Sequence, residues 1–223
     1  MWGEIKRSFR IGLESAKTNV MPMLALWICA VSLVLGYYLI PSFADFLNPL
    51  KRWQTGCGWP VAWLNAAFFC GILPGVFQLC LRRIRPRFPF RTILAQTLLC
   101  GLNGAVCYWF YRLQMRWFGS GADFGTLAVK MLVDQFAWTP LVIAPVNATV
   151  FFWIARDLSA ERVRAEWPGI GRILVRYLVP LWIVNVIPNL ALYAFPPALQ
   201  IQLVGLLGAF WTLMCLQVSV RSR

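Results

Sequence analysis

Histidine is missing from all 223 residues, and acidic side chains are scarce, with 8 Asp and Glu against 21 Lys and Arg. Without histidine the chain lacks the commonest general base and the commonest transition-metal ligand, which argues against haem or zinc chemistry. Charge of either sign is sparse too: 13% of residues are charged, where soluble domains carry about 25%. The 7 cysteines include no C-x-x-C pair, and all but Cys57 lie inside apolar runs. There a thiol behaves as a small apolar residue, so free cysteines are expected rather than a disulfide framework. No small-residue cleavage site follows a short apolar region near the start, so a cleaved signal peptide is not expected.

What is present in excess is apolar sequence, at 60% of residues and a mean hydropathy of +0.65. The reading is an all-α, polytopic membrane helical bundle of about six transmembrane helices. Its spans are 21–43, 59–81, 92–111, 131–154, 177–195 and 198–220. Segment 1–20 reads as a basic interfacial tail, 21–90 as an extra helical hairpin with an Arg-rich loop, and 91–223 as a four-helix region. Segment 44–58 reads as a polar connection rich in turn residues, and 112–130 as a loop that is Gly-rich in its middle and partly bound to the membrane surface. Ser159 is placed to cap a short helix after the fourth span. Pro196-Pro197 makes a tight turn between the last two spans.

The basic residues set the orientation. With an inside amino terminus, 16 of the 21 Lys and Arg fall on inside segments and 5 on outside segments. That asymmetry places both termini on the positive side. It also explains the net charge of +13 without nucleic acid as a partner. Arg82, Arg83, Arg85, Arg87 and Arg91 crowd one loop. They are candidates for anionic lipid head groups or an anionic solute, at about 1 kcal/mol per basic residue near such a surface. Setting the topology accounts for the same residues more simply.

Counted over the six spans, Asp134 is the single formal charge. A carboxylate at that depth costs on the order of 2.5–3.5 kcal/mol and needs compensation. One answer is an ion pair with Lys130, four residues earlier and near the interface. The other is a polar lumen shared with Gln135 and with Asn185 and Asn189 of the fifth span. That span, with Pro180 and Pro188, reads as the one most open to a break. Pro140 and Pro145 either curve the fourth span or break it to expose carbonyls; the curve is the simpler reading. Gly101 and Gly104 allow another helix to approach closely. No paired carboxylates, Gly-rich phosphate loop or Ser–His couple occurs, so catalysis is not expected, and neither a cofactor nor a metal is implied.

Lys130-Met131-Leu132-Val133-Asp134-Gln135 followed by Pro140 resembles a K-x-x-x-D-Q-x-x-x-x-P signature. It is that of the family named for the mitochondrial inner-membrane protein Mpv-seventeen and the peroxisomal membrane protein of twenty-two kilodaltons. Arg91-Thr92, Gly101, Gly104 and Tyr111 upstream are similar to the family's pattern, as are Trp167-Pro168, Tyr177, Pro180, Pro196 and Trp211 downstream. The likeness covers a little over half the chain, mainly 91–215. It departs at Ala105, Ile183 and Gln200. The resemblance implies a channel-like integral protein of an inner or organelle membrane, linked to membrane homeostasis. For a bacterial member the site is the plasma membrane; the alternatives are the mitochondrial inner and peroxisomal membranes. The implied motif residues are Lys130, Asp134, Gln135, Pro140, Asn185, Asn189 and Trp211.

The expected partners are the lipid bilayer and an unidentified small solute, and a homo-oligomer stays open. The competing expectations are a non-conducting scaffold, whose polar residues only join helices, and, more remotely, an intramembrane enzyme.

Overall fold

In lipid every backbone N–H and C=O must be satisfied within the protein, so long apolar segments fold as helices. A computed structural model of the protein describes residues 20–80, 89–121 and 123–221, with Gly3, Lys6, Arg10, Leu13, Glu14 and Lys17 from the amino-terminal segment. Among the described residues every regular element is helical. Three helical stretches are long and apolar enough to cross a membrane: Trp59–Phe77, Pro89–Phe118 and Phe124–Ala155. Counting the bent pair Trp27–Leu39 and Pro41–Cys57 as one broken span makes four. The second and third stretches have 30 and 32 residues, or about 45–48 Å at ~1.5 Å per residue. They exceed a hydrocarbon core of about 30 Å.

The first expected span is not a single rod. Helix α1 (Val20–Leu39) stops and α2 (Pro41–Cys57) leaves at 104°. The cause is local: a residue before proline is pushed out of the helical region, and Ile40 sits at φ −120° and ψ 97°. Segment 44–58, expected to be a turn-rich connection, is mostly helix as well. Phe43, Leu47, Leu50 and Gln54 recur at helical spacing and face inward, with Leu47 and Leu50 packed on the core. The side-chain amides of Gln54 and Gln202 meet at 3.0 Å, tying α2 to the last helix. Gly58 then turns the chain at φ 65°, where a Cβ would lie 3.1 Å from the Tyr108 hydroxyl.

The second span runs α3 (Trp59–Ala66), a π-helical segment π1 (Ala67–Ile72) and α4 (Leu73–Cys80). Along it lies α5 (Pro89–Phe118), at a distance set by small residues. A Cβ on Gly71 would come 2.5 Å from the Thr97 Cα, and one on Gly101 2.5 Å from the Trp63 ring. A Cβ on Gly104 would overlap Ala66. The close approach expected for Gly101 and Gly104 is therefore present.

The expected connection at 112–130 shortens to the few residues between two helices, because α5 continues to Phe118 and the next helix begins at Phe124. Tyr111 and Gln114, one turn apart, are buried and carry α5 onward. The fourth span joins α6 (Phe124–Val133), a second π-helical segment π2 (Asp134–Ile143) and α7 (Ala144–Ala155). Ser159 caps α8 (Ala160–Glu166) as expected, its hydroxyl accepting from the Arg162 N–H at 3.4 Å. After a 3-10 turn at Trp167–Gly169, α9 (Ile170–Ala194) runs unbroken despite its prolines. The Pro196-Pro197 turn leads into α10 (Pro197–Arg221). Phe152, Leu181, Leu192 and Leu199 are fully buried; Phe152 of α7 packs in a core with Trp211 of α10, and Leu192 and Leu199 in another with Ala30 of α1 and Phe110 of α5.

Candidate functional site: a polar chamber beside a π-helical segment

Pro140 shapes the fourth span. Proline has no N–H and its ring collides with the preceding turn of an α-helix. Here the ladder shifts to i→i+5 bonding, with the Ala144 N–H donating to the Thr139 carbonyl. In that ladder the Gln135 carbonyl faces the missing N–H of Pro140. Trp182 of α9 fills the gap, its indole N–H donating to that carbonyl at 2.9 Å. The prolines therefore do not expose this carbonyl to a path; a neighbouring helix takes it up.

The π geometry also brings together residues five apart. Thr139 donates its hydroxyl to one Asp134 oxygen at 3.0 Å, and Tyr193 of α9 donates to the other at 2.5 Å. Asp134 is 4% exposed and lies ten residues from the start of α6, about 15 Å along the axis. It is thus far deeper than the one turn its apolar run implies. Hydrogen bonds to a charged group are worth about 1.5–3 kcal/mol each, so two offset the insertion cost. Lys130 is not the compensating group: no ion pair joins it to Asp134 among the described residues. Its side chain is buried, and its carbonyl accepts from Gln114 of α5 at 3.3 Å.

Beside Asp134 lies a cavity of about 130 Å³. Four amides line it: Asn103 of α5, Asn147 of α7, and Asn185 and Asn189 of α9. None of the four has a hydrogen-bond partner among the described residues. Trp211 of α10 also lines it, and its indole N–H is buried without a partner. Trp138, stacked on Phe110 with ring centroids 4.0 Å apart, forms part of the wall. Cys70, Cys100 and Cys107 are free thiols on the same surface.

Four of the expected residues, Asp134, Asn185, Asn189 and Trp211, therefore meet at one cavity. Three do not line it: Lys130, Gln135 and Pro140. The Gln135 amide is buried with neither end bonded. Arg91 is exposed at the start of α5, while Arg82, Arg83, Arg85 and Arg87 lie outside the described residues. Residues that sequence reasoning did not assign to the site are Asn103, Thr139, Asn147 and Tyr193. A signal for Tyr193 was available, since Asn185, Asn189 and Tyr193 recur every four residues and share one helix face. Thr139 had none, because a five-residue spacing meets only in a π-helix.

Outside the membrane, Asp123 caps α6 by accepting from the Thr126 N–H at 3.0 Å. That bond holds its carboxyl below the usual aspartate range. No group of His, Cys, Asp and Glu suited to a metal ion occurs among the described residues. Compared with protein-family models, curated proteins and solved structures, the chain matches none.

Proposed function

We propose that this is an integral membrane protein whose polar chamber permits or regulates the passage of small solutes. The observation that carries the reading is the set of four unbonded amides around the chamber beside Asp134. Asn147 is buried and Asn103, Asn185 and Asn189 are half-buried, and a polar group left unmet in such a space costs about 1–3 kcal/mol, so water or a polar solute is the natural partner. At about 30 Å³ per molecule the chamber has room for roughly four waters. The bundle in this reading has six spans with both termini on the positive side, as the basic residues favour. The K-x-x-x-D-Q-x-x-x-x-P resemblance supports the same class, in a bacterial plasma membrane or an organelle inner membrane.

A second reading is a non-conducting scaffold, favoured by one observation: both Asp134 oxygens are engaged by hydroxyls on the protein. The two readings part on reconstitution. Passage predicts protein-dependent solute flux or conductance in liposomes, altered in selectivity or gating by Asp134→Asn. The scaffold predicts a less stable variant and no flux from either protein. Site-resolved thiol labelling adds a check, since a water-filled path lets a small soluble reagent reach Cys107.

A further inference from the structure

We infer that the chamber is a binding site for a small, neutral, multiply hydrogen-bonding solute, a short polyol or a simple amide. This rests on the reading of the chamber as a polar space and goes further by naming what it selects.

Size sets the first limit. The space of about 130 Å³ is close to the ~150 Å³ cavity that takes benzene, so the part of a guest seated in it has about six non-hydrogen atoms. Glycerol and urea fall within that limit, whereas a disaccharide or a nucleotide far exceeds it.

Charge sets the second. No Lys or Arg lines the chamber among the described residues, so an anion finds no counter-charge there. Asp134 is the one acid there, and each of its oxygens already accepts a hydroxyl hydrogen. Those two bonds take up part of the charge that a cation would meet, and no second acid lines the space among the described residues.

Hydrogen bonding sets the third. A primary amide offers two donors and an acceptor, and Asn103, Asn147, Asn185 and Asn189 offer both kinds from three helices. Trp211 adds a donor that nothing on the protein accepts. A guest that both donates and accepts on several sides, such as a polyol or a urea, matches that array. An aprotic guest does not.

The test uses the full chain in two formats. In proteoliposomes, osmotic re-swelling is recorded with glycerol, urea and sucrose for the native protein and for Asn185→Leu/Asn189→Leu. Glycerol and urea are expected to enter faster than through protein-free liposomes, and sucrose is not. The double variant should slow glycerol by about tenfold, a loss of roughly one hydrogen-bonded pair. In lipid nanodiscs, titration with glycerol should shift the side-chain amide resonances of Asn147, Asn185 and Asn189. A milder variant, Asn189→Ser, should weaken those shifts if the leucines prevent folding. Glycerol-dependent shifts without flux leave the binding site standing and remove the passage reading. Flux in which sucrose keeps pace with glycerol, with no amide shifts, keeps passage and overturns the binding site. Shifts and flux unchanged in both variants also overturn it.

Discussion

The described residues include two π-helical segments, and proline accompanies each, but they meet different surroundings. In π1 the interruption lies next to Pro74, and the Cys70 and Gly71 carbonyls accept from Gln96 Nε2 at 3.2 and 3.1 Å. There the neighbouring helix presses close, because Gly71, Gly101 and Gly104 leave no side chain between the backbones. In π2 the interruption lies at Pro140, and Trp182 supplies the donor. The neighbouring helices there stand off, and the gap, whose far wall is Ala66, Cys70 and Gly104 of the seam, holds Asp134 and the amides. One backbone device thus serves two ends. Small residues turn it into a tight seam, and polar ones turn it into a chamber.

The largest effect should come from filling the seam. Gly104→Leu places a side chain where even a Cβ overlaps Ala66 and comes 2.7 Å from the Ala62 carbonyl oxygen. We expect a loss of about 3 kcal/mol, at the upper end for overpacking, measured by unfolding in detergent. Asn147→Leu at the chamber should be tolerated or stabilising, since it removes an unbonded amide beside open space. If the two substitutions behaved alike, the contrast between seam and chamber would fail.

Next is the tie at π2. Asp134→Ala leaves the Tyr193 and Thr139 hydroxyls without their acceptor. A cost of about 1–2 kcal/mol is expected, near the upper range of measured interhelical bonds in membranes. Tyr193→Phe in the Asp134→Ala background should then cost little, so a double-mutant cycle measures the pair.

A smaller effect tests how the prolines are accommodated. Trp182→Phe frees the Gln135 carbonyl at a cost of about 0.6 kcal/mol. In a Pro140→Ala background the backbone regains its own donor, and the same substitution should become neutral. Gln96→Leu with Pro74→Ala is the matching cycle at π1. Equal costs in both backgrounds would show that the carbonyls were never short of a donor.

The smallest effect is one of pH. The Asp123 carboxyl is held below the usual range by the Thr126 N–H, so its cap stabilises α6 above the ordinary aspartate pKa. That contribution fades as pH falls through the lowered value. The protection of the Thr126 amide, its exchange relative to the intrinsic rate at each pH, should fall on acidification in the native protein and stay constant in that range in Asp123→Asn.

Much of this was legible in the residues. The depth of the apolar runs predicted helices, the small residues predicted the seam, and the lone charge with two asparagines pointed to the chamber. What escaped has physical reasons. The bend at Ile40 needs only the restriction before Pro41, yet the run from 21 to 43 is uniformly apolar and reads as one span. The helix of α2 was masked by its turn-forming residues, although Phe43, Leu47 and Leu50 carry its period. The Lys130–Asp134 spacing suits an ion pair on a regular helix. Here the carboxyl instead turns to hydroxyls on π2 and α9, which i, i+4 reasoning does not reach. Asn147 carries no charge and was lost among apolar neighbours.

The central claim is that the space beside Asp134 is wet. It is tested most directly by water-to-protein magnetisation transfer, recorded by NMR on the protein in lipid bilayers. Transfer is predicted at the side-chain amides of Asn147, Asn185 and Asn189, with none at Gln96, whose amide is bonded within the seam. If the three asparagine amides prove as dry as Gln96, the chamber holds no water and the account is contradicted.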